Sequence, residues 1–153
     1  MIAGVVVRRA GAGDIEGILR VERGASEAPQ WGEARYREML QGEGSLQREL
    51  LVAVEGERLA GFAVASVVLD EAELESVVVD AEFRRRGVGR LLCEAVLGWA
   101  RERGATQIRL EVRAANHAAQ GLYRGLGFQV NGLRRGYYRG PVDDAVLMAV
   151  SLT

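Results

Sequence analysis

The sequence predicts a mixed α/β (α+β) fold, one mostly antiparallel central sheet flanked by about four helices, in the order βααβββαβαββ. Three observations predict it. Hydrophobic residues make up 48% of the 153 positions, enough for one core and a single domain over residues 1–153. Apolar runs of strand length fill the middle of the chain, separated by turns too short for crossover connections. Segments with helical periodicity stand on both sides of them.

Val5 to Val7 is β-branched and leads into Ala10-Gly11-Ala12-Gly13, a strand followed by a loop. Asp14 stands where it can cap a helix whose apolar positions are Ile15, Ile18 and Leu19. Pro29-Gln30-Trp31-Gly32 breaks the chain before a short helix around Ala34 to Leu40, which Gln41-Gly42-Glu43-Gly44-Ser45 ends. Leu50 to Val54, Leu59 to Leu69 and Glu73 to Val79 then form an antiparallel meander through turns at Glu55-Gly56-Glu57 and Asp70-Glu71. From Gly87 to Arg103 the residues Val88, Leu91, Leu92, Ala95, Val96 and Trp99 mark a helix that Gly104 stops. Gln107 to Val112 alternates, with Ile108, Leu110 and Val112 on a core face and Arg109, Glu111 and Arg113 on the other. Asn116 to Gly125 is helical. Phe128 to Leu133 and Ala145 to Leu152 read as the last two strands, with Tyr137 and Tyr138 in the loop region between them.

Twenty basic and 21 acidic residues leave a formal net charge of -1. Nothing global draws such a chain to nucleic acid or to an anionic membrane, so binding has to come from a local site. Every basic side chain is arginine, a bias that genome composition explains and that leaves Met1 with the only amine. A lone Cys93 excludes an internal disulfide, and no cysteine or histidine cluster has metal-site spacing, which suits a reducing cytoplasm. Met1 to Val7 is too short for a signal segment and no run approaches the ~18 apolar residues of a membrane span. A cytoplasmic location, no membrane and no metal are the expectations.

The most informative stretch is Val77-Val78-Val79-Asp80-Ala81-Glu82-Phe83-Arg84-Arg85-Arg86-Gly87-Val88-Gly89-Arg90. Glycines at the start of a helix leave backbone N–H groups uncovered, and with the helix dipole these bind phosphate. Leu92 stands where a dinucleotide fingerprint needs a third glycine, and a P-loop needs a lysine this chain lacks. Alone, a Gly-x-Gly is more readily a tight turn. Arg84, Arg85, Arg86 and Arg90 around it suit a pyrophosphate.

Arg84-Arg85-Arg86-Gly87-Val88-Gly89 resembles the Gln/Arg-x-x-Gly-x-Gly/Ala signature of the GCN5-related N-acetyltransferase (GNAT) family, and the order of elements resembles that fold. The resemblance implies that Arg85, Arg86, Gly87, Val88, Gly89 and Arg90 hold the pyrophosphate of acetyl-CoA. It implies further that Val77, Val78 and Val79 offer backbone groups to the pantetheine arm and that Asn116 hydrogen-bonds the cofactor. Val67 to Ala72, Leu110 to Asn116, Leu122-Tyr123 with Gly127-Phe128, and Arg134 to Tyr138 resemble the ribosomal-protein alanine acetyltransferases within the family. Pro29-Gln30-Trp31 resembles their Pro-Trp pair only loosely. By this resemblance Glu111 accepts the proton of the amine, Tyr123 protonates the CoA thiolate, and Tyr137 and Tyr138 grip the N-terminus of a ribosomal protein.

The chemistry asks for such residues. Acyl transfer from a thioester needs a neutral amine, a sink for its proton and an acid for the thiolate. At pH 7 an α-amine of pKa ~8 is neutral in roughly one molecule in ten, a lysine in roughly one in 2500. A carboxylate of ordinary pKa is a poor base toward that ammonium by on the order of 5 kcal/mol, so Glu111 is expected to be raised by burial or to act through water. Other uses remain open on the residues alone: Glu111 can pair with Arg109 or Arg113, and Tyr123 can simply close the core edge. His117, the one histidine, has no identifiable carboxylate partner, and Cys93 falls beside an apolar stripe. An acetyltransferase for small-molecule amines, or a non-catalytic acetyl-CoA-binding module, would share the cofactor half of the site.

Overall fold

A computed structural model describes residues 4–26, 28–42 and 47–153. The elements are β1 (Val5–Arg9), α1 (Ile15–Arg23), α2 (Glu33–Gln41), β2 (Gln47–Glu55), β3 (Arg58–Val68), β4 (Glu71–Val79), α3 (Val88–Glu102), β5 (Gln107–Arg113), α4 (His117–Gly125), β6 (Gln129–Tyr138) and β7 (Asp143–Ser151), with single 3₁₀ turns at Ala12–Asp14 and Ala81–Phe83. The amine of Met1 and the expected break at Glu43, Gly44 and Ser45 lie outside the described residues.

The strands form one sheet in the order β1-β2-β3-β4-β5-β7-β6. Every neighbouring pair is antiparallel except β4 and β5. That is the topology the short turns dictate, since α3 is the crossover that returns the chain parallel to β4. Helices cover both faces. On one, Ile15, Ile18 and Val21 of α1 and Tyr36 and Met39 of α2 pack on Leu50, Val52, Phe62, Val64 and Val78. On the other, Val88, Leu92, Val96 and Trp99 of α3 and Tyr123 of α4 pack with Ala63, Leu74, Ile108, Leu110 and Met148. Each large aliphatic side chain so buried contributes about 1.5–3 kcal/mol.

Two local departures from regular pairing shape the sheet. Ala65 lies opposite Leu74 and Val64 opposite Ser76, so Glu75 is an extra residue that kinks β4. Beyond it the face exchanges: Ala72 and Leu74 point to the α3 side, but Val77 and Val79 do so after the bulge. β4 also pairs with β5 only over Glu71 to Glu73 against Gln107 to Arg109. From Leu74 and Leu110 onward the two strands part.

Two expectations are corrected. Tyr137 and Tyr138 belong to β6, which runs on to Tyr138. Its largely exposed and polar positions conceal the alternation that marks a strand. Asp14 precedes α1 but does not cap it with its side chain. Its carboxylate turns back to the Gly11 N–H at 2.7 Å and to Arg8 at 2.8 and 3.0 Å.

Candidate active site

The loop from β4 into α3 is built by Asp80, Arg85 and Gly87. Asp80 accepts the Glu82 N–H at 2.9 Å and an Arg20 N–H at 2.6 Å. Burial pushes its pKa up, but these donors and Arg58 outweigh burial and hold it below the ordinary value. Arg85 at φ 63° and Gly87 at φ 80° take left-handed conformations, which turn successive N–H groups the same way. The first bond into α3 is Leu91 N–H to Gly87 O at 3.1 Å, leaving the amides of Val88, Gly89 and Arg90 without an acceptor in the helix. No acidic residue stands in that first turn to quench the positive dipole end. A Cβ on Gly89 would lie 3.3 Å from Leu122 Cδ2 and 3.6 Å from Val79 Cγ2, so this glycine also seats α3 on β4 and α4.

The arginines are not equivalent. Arg86 pairs with Glu55 at 2.7 Å and lies over the Phe83 ring, whereas Arg90 reaches Glu94 at 3.8 Å. Arg84 and Arg85 have no carboxylate within 4 Å among the described residues and are exposed. This mouth, with free amides and free guanidinium groups, can hold a diphosphate.

Below it lies the gap between β4 and β5. Leu74 to Val79 pair with β3 on one side but present an open backbone edge to the gap, so the amides and carbonyls of Val77 and Val79 can take an extended amide chain there. The side chain of Val78 points the other way, into the α1–α2 core. Asn116 accepts the Ala119 N–H at 3.1 Å as the cap of α4, which orients its amide nitrogen away from the helix.

Glu111 and Tyr123 flank the gap from opposite faces. Ile108, Leu110 and Val112 face α3, so Glu111 faces the α1–α2 side, its side chain 30% exposed and 3.9 Å from Arg134. Neither Arg109 nor Arg113 pairs with it: Arg109 goes to Glu71 at 3.2 Å and Glu73 at 3.9 Å. Tyr123 is buried on the α4 side against Phe128. Burial first, then Cys93 and Tyr138, push its pKa up, so the hydroxyl keeps its proton at neutral pH. Tyr137 and Tyr138 meet edge to face at 5.1 Å. The pKa of the Tyr137 hydroxyl is raised first by the nearby Glu111 carboxylate, and that of Tyr138 is pushed up to about 12 by burial and then by Glu111. Glu111 and the tyrosine pair thus lie on one side of the gap, with Tyr123 buried on the other.

Sequence reading missed Glu73. It faces the same side as Glu111, and burial first, then Glu75 and, more weakly, Glu111, raise its pKa against the pull of Arg109. Its burial and its neighbours, Glu75 along the strand and Arg109 across the paired end of β5, come from packing and leave no local sequence mark. His117 is exposed at the start of α4, and Cys93 is 1% exposed with its pKa pushed up to about 12 by burial. Among the described residues no helix is long and apolar enough to cross a membrane.

This architecture, with a phosphate-ready helix mouth above parted parallel strands, defines an N-acetyltransferase. Residues 16–128 match the acetyltransferase (GNAT) family model, and the chain belongs to that family of acetyl-CoA-dependent enzymes. Among individual relatives, the [ribosomal protein bS18]-alanine N-acetyltransferase of Salmonella typhimurium is 39% identical over 92% of this chain and 93% of its own length. The crystal structure of the ribosomal-protein-S18-alanine N-acetyltransferase from Escherichia coli superposes with a TM-score of 0.83 at 31% identity, over 97% of this chain and 94% of that one. Ard1 from Thermoplasma volcanium gives 0.86 at 27% identity over 99% of both chains.

Proposed function

We propose that this protein, acting as one catalytic domain in the cytoplasm, moves the acetyl group of acetyl-CoA to the α-amine of an N-terminal alanine on a ribosomal protein of the bS18 kind. The observation that carries the reading is 39% identity across nearly the full length of an enzyme bearing that name. Acetyl-CoA lies with its pyrophosphate on the amides of Gly87 to Arg90 and its pantetheine along Val77 to Val79. The peptide enters from the α1–α2 side, past Tyr137 and Tyr138.

The amine attacks the thioester carbonyl carbon, a C–N bond forms and the C–S bond breaks. Of the two protons the ammonium gives up, one leaves through water held by Glu111 and one ends on the CoA sulfur. The exposure of Glu111 favours a water relay over direct abstraction. The raised pKa of Tyr123 makes it first a hydrogen-bond donor to the developing thiolate and only then a proton source. Transfer is direct, because the sole thiol, Cys93, is sealed in the core and stays protonated.

One observation favours a second reading, acetylation of a small polyamine: Glu71, Glu73 and Glu111 share one face of the sheet beside the gap. Arginines offset this charge, at 3.2 Å for Arg109 to Glu71 and 3.9 Å for Arg134 to Glu111. The test is intact mass after incubation with acetyl-CoA and peptides beginning with alanine, serine or methionine, with spermidine in parallel. The alanine peptide is expected to gain one acetyl group, and its N-terminally blocked form none. No product on any peptide would overturn the proposal, and product on spermidine alone would establish the second reading.

A further inference from the structure

Arg113 ends β5 on the same face as Glu111, yet it pairs with no carboxylate within 4 Å among the described residues. Other arginines on that face of the sheet do: Arg48 with Glu75 at 2.9 Å, Arg109 with Glu71 at 3.2 Å. Arg113 spends its guanidinium on the turn between β6 and β7. Nη1 donates to Pro141 O at 2.9 Å, Nη2 donates to Arg139 O at 2.8 Å, and Cζ lies 4.5 Å from the centre of the Tyr138 ring. Its backbone serves the opposite side of the gap. The side-chain amide of Gln120, in the helix that carries Tyr123, donates to Arg113 O at 3.2 Å and to Ala114 O at 3.0 Å.

We propose that Arg113 is a positioning residue for acetyl transfer, one that fixes Tyr138 and its turn against Glu111 while its carbonyl holds the helix of Tyr123. The inference rests on the acceptor entering past Tyr137 and Tyr138. One residue therefore joins the three elements that carry the base, the acid and the acceptor wall. Two further bonds close the same junction: Ala115 N–H to Asp143 Oδ2 at 3.0 Å and Ala114 N–H to Asp144 O at 2.9 Å. Asp144 in turn accepts the Gly136 N–H at 2.8 Å, where β6 bulges just before the tyrosine pair. A lysine cannot replace the arginine, because a single ammonium has no planar fork to reach two carbonyls while stacking on a ring.

The test has a kinetic and an acceptor-free arm. In Arg113→Lys and Arg113→Ala the peptide KM should rise on the order of 10-fold to 100-fold, as a small misplacement of the acceptor demands. Acetyl-CoA affinity should stay within about twofold, since the α3 mouth is untouched. Added guanidinium should restore part of the Arg113→Ala rate, and added ammonium should not. An unchanged peptide KM in both variants, an equal loss of acetyl-CoA affinity, or no guanidinium rescue would each overturn the proposal. In the acceptor-free arm, amide exchange of Ala114, Ala115 and Gly136 should quicken in Arg113→Lys while that of β2 and β3 holds. Unchanged exchange would overturn the clamp. If the unaltered protein acetylates no peptide, the acceptor reading fails by itself, and quickened exchange would still support the clamp.

Discussion

Glu111 and Tyr123 are kept apart by environment as well as by the sheet: one is open to water, the other buried where its proton is secure. Glu111→Gln and Tyr123→Phe should each lower kcat by about 100-fold, the usual worth of one acid or base, with acetyl-CoA affinity held within about twofold. Steady-state kinetics and calorimetry check both, and an unchanged kcat in either variant removes that residue from the mechanism. Glu73 carries a different prediction. Its pKa stands above the ordinary 4.5, so the folded protein binds more protons there than the unfolded chain and stability falls as pH rises through that window. Glu73→Gln removes the penalty, so the variant should gain more over the parent at pH 7 than at pH 4 in urea midpoints. Equal differences at both pH values would show that no such penalty exists. Of these three, Glu111 and Tyr123 were proposed from the family resemblance, with strand alternation giving Glu111 its face. Glu73 was not, because its burial and its carboxylate neighbours come from three-dimensional packing alone.

At the scale of elements, β4 decides the site. Its bulge at Glu75 and its parting from β5 after Glu73 create the open edge, and neither is written in residue type: Glu75 carries no glycine and no proline to announce a kink. The opposite edge of β4 is held tightly. A Cβ on Gly61 of β3 would come 2.6 Å from Val78 O, closer than any real packing allows. Gly61→Ala should therefore cost about 1–3 kcal/mol in urea unfolding and weaken acetyl-CoA binding by displacing β4. A fully stable variant with parental affinity would contradict the close approach. The other elements were legible where periodicity was strong, as in α3 and β5. β6 was cut short because an exposed edge strand has no buried face to impose alternation, and its bulge before Tyr138 interrupts what alternation there is.

For the whole molecule, two cores on opposite faces of one sheet hold the parted strands as a fixed frame, so acetyl donor and acceptor can approach from different sides. A formal net charge of -1 conceals a local concentration of arginine at the α3 mouth. Composition points to local recognition, and the Gly-x-Gly with its flanking arginines is the place the sequence proposes for it. Cofactor binding at that mouth requires it to take a phosphate, and titration calorimetry with pantetheine and with 4′-phosphopantetheine isolates the contribution without altering the protein. Charged hydrogen bonds to free amides are worth about 1.5–3 kcal/mol each, so the added phosphate should tighten binding by at least ~10-fold, a gain that shrinks as salt is raised. Equal affinity for the two compounds would contradict phosphate binding at the α3 mouth.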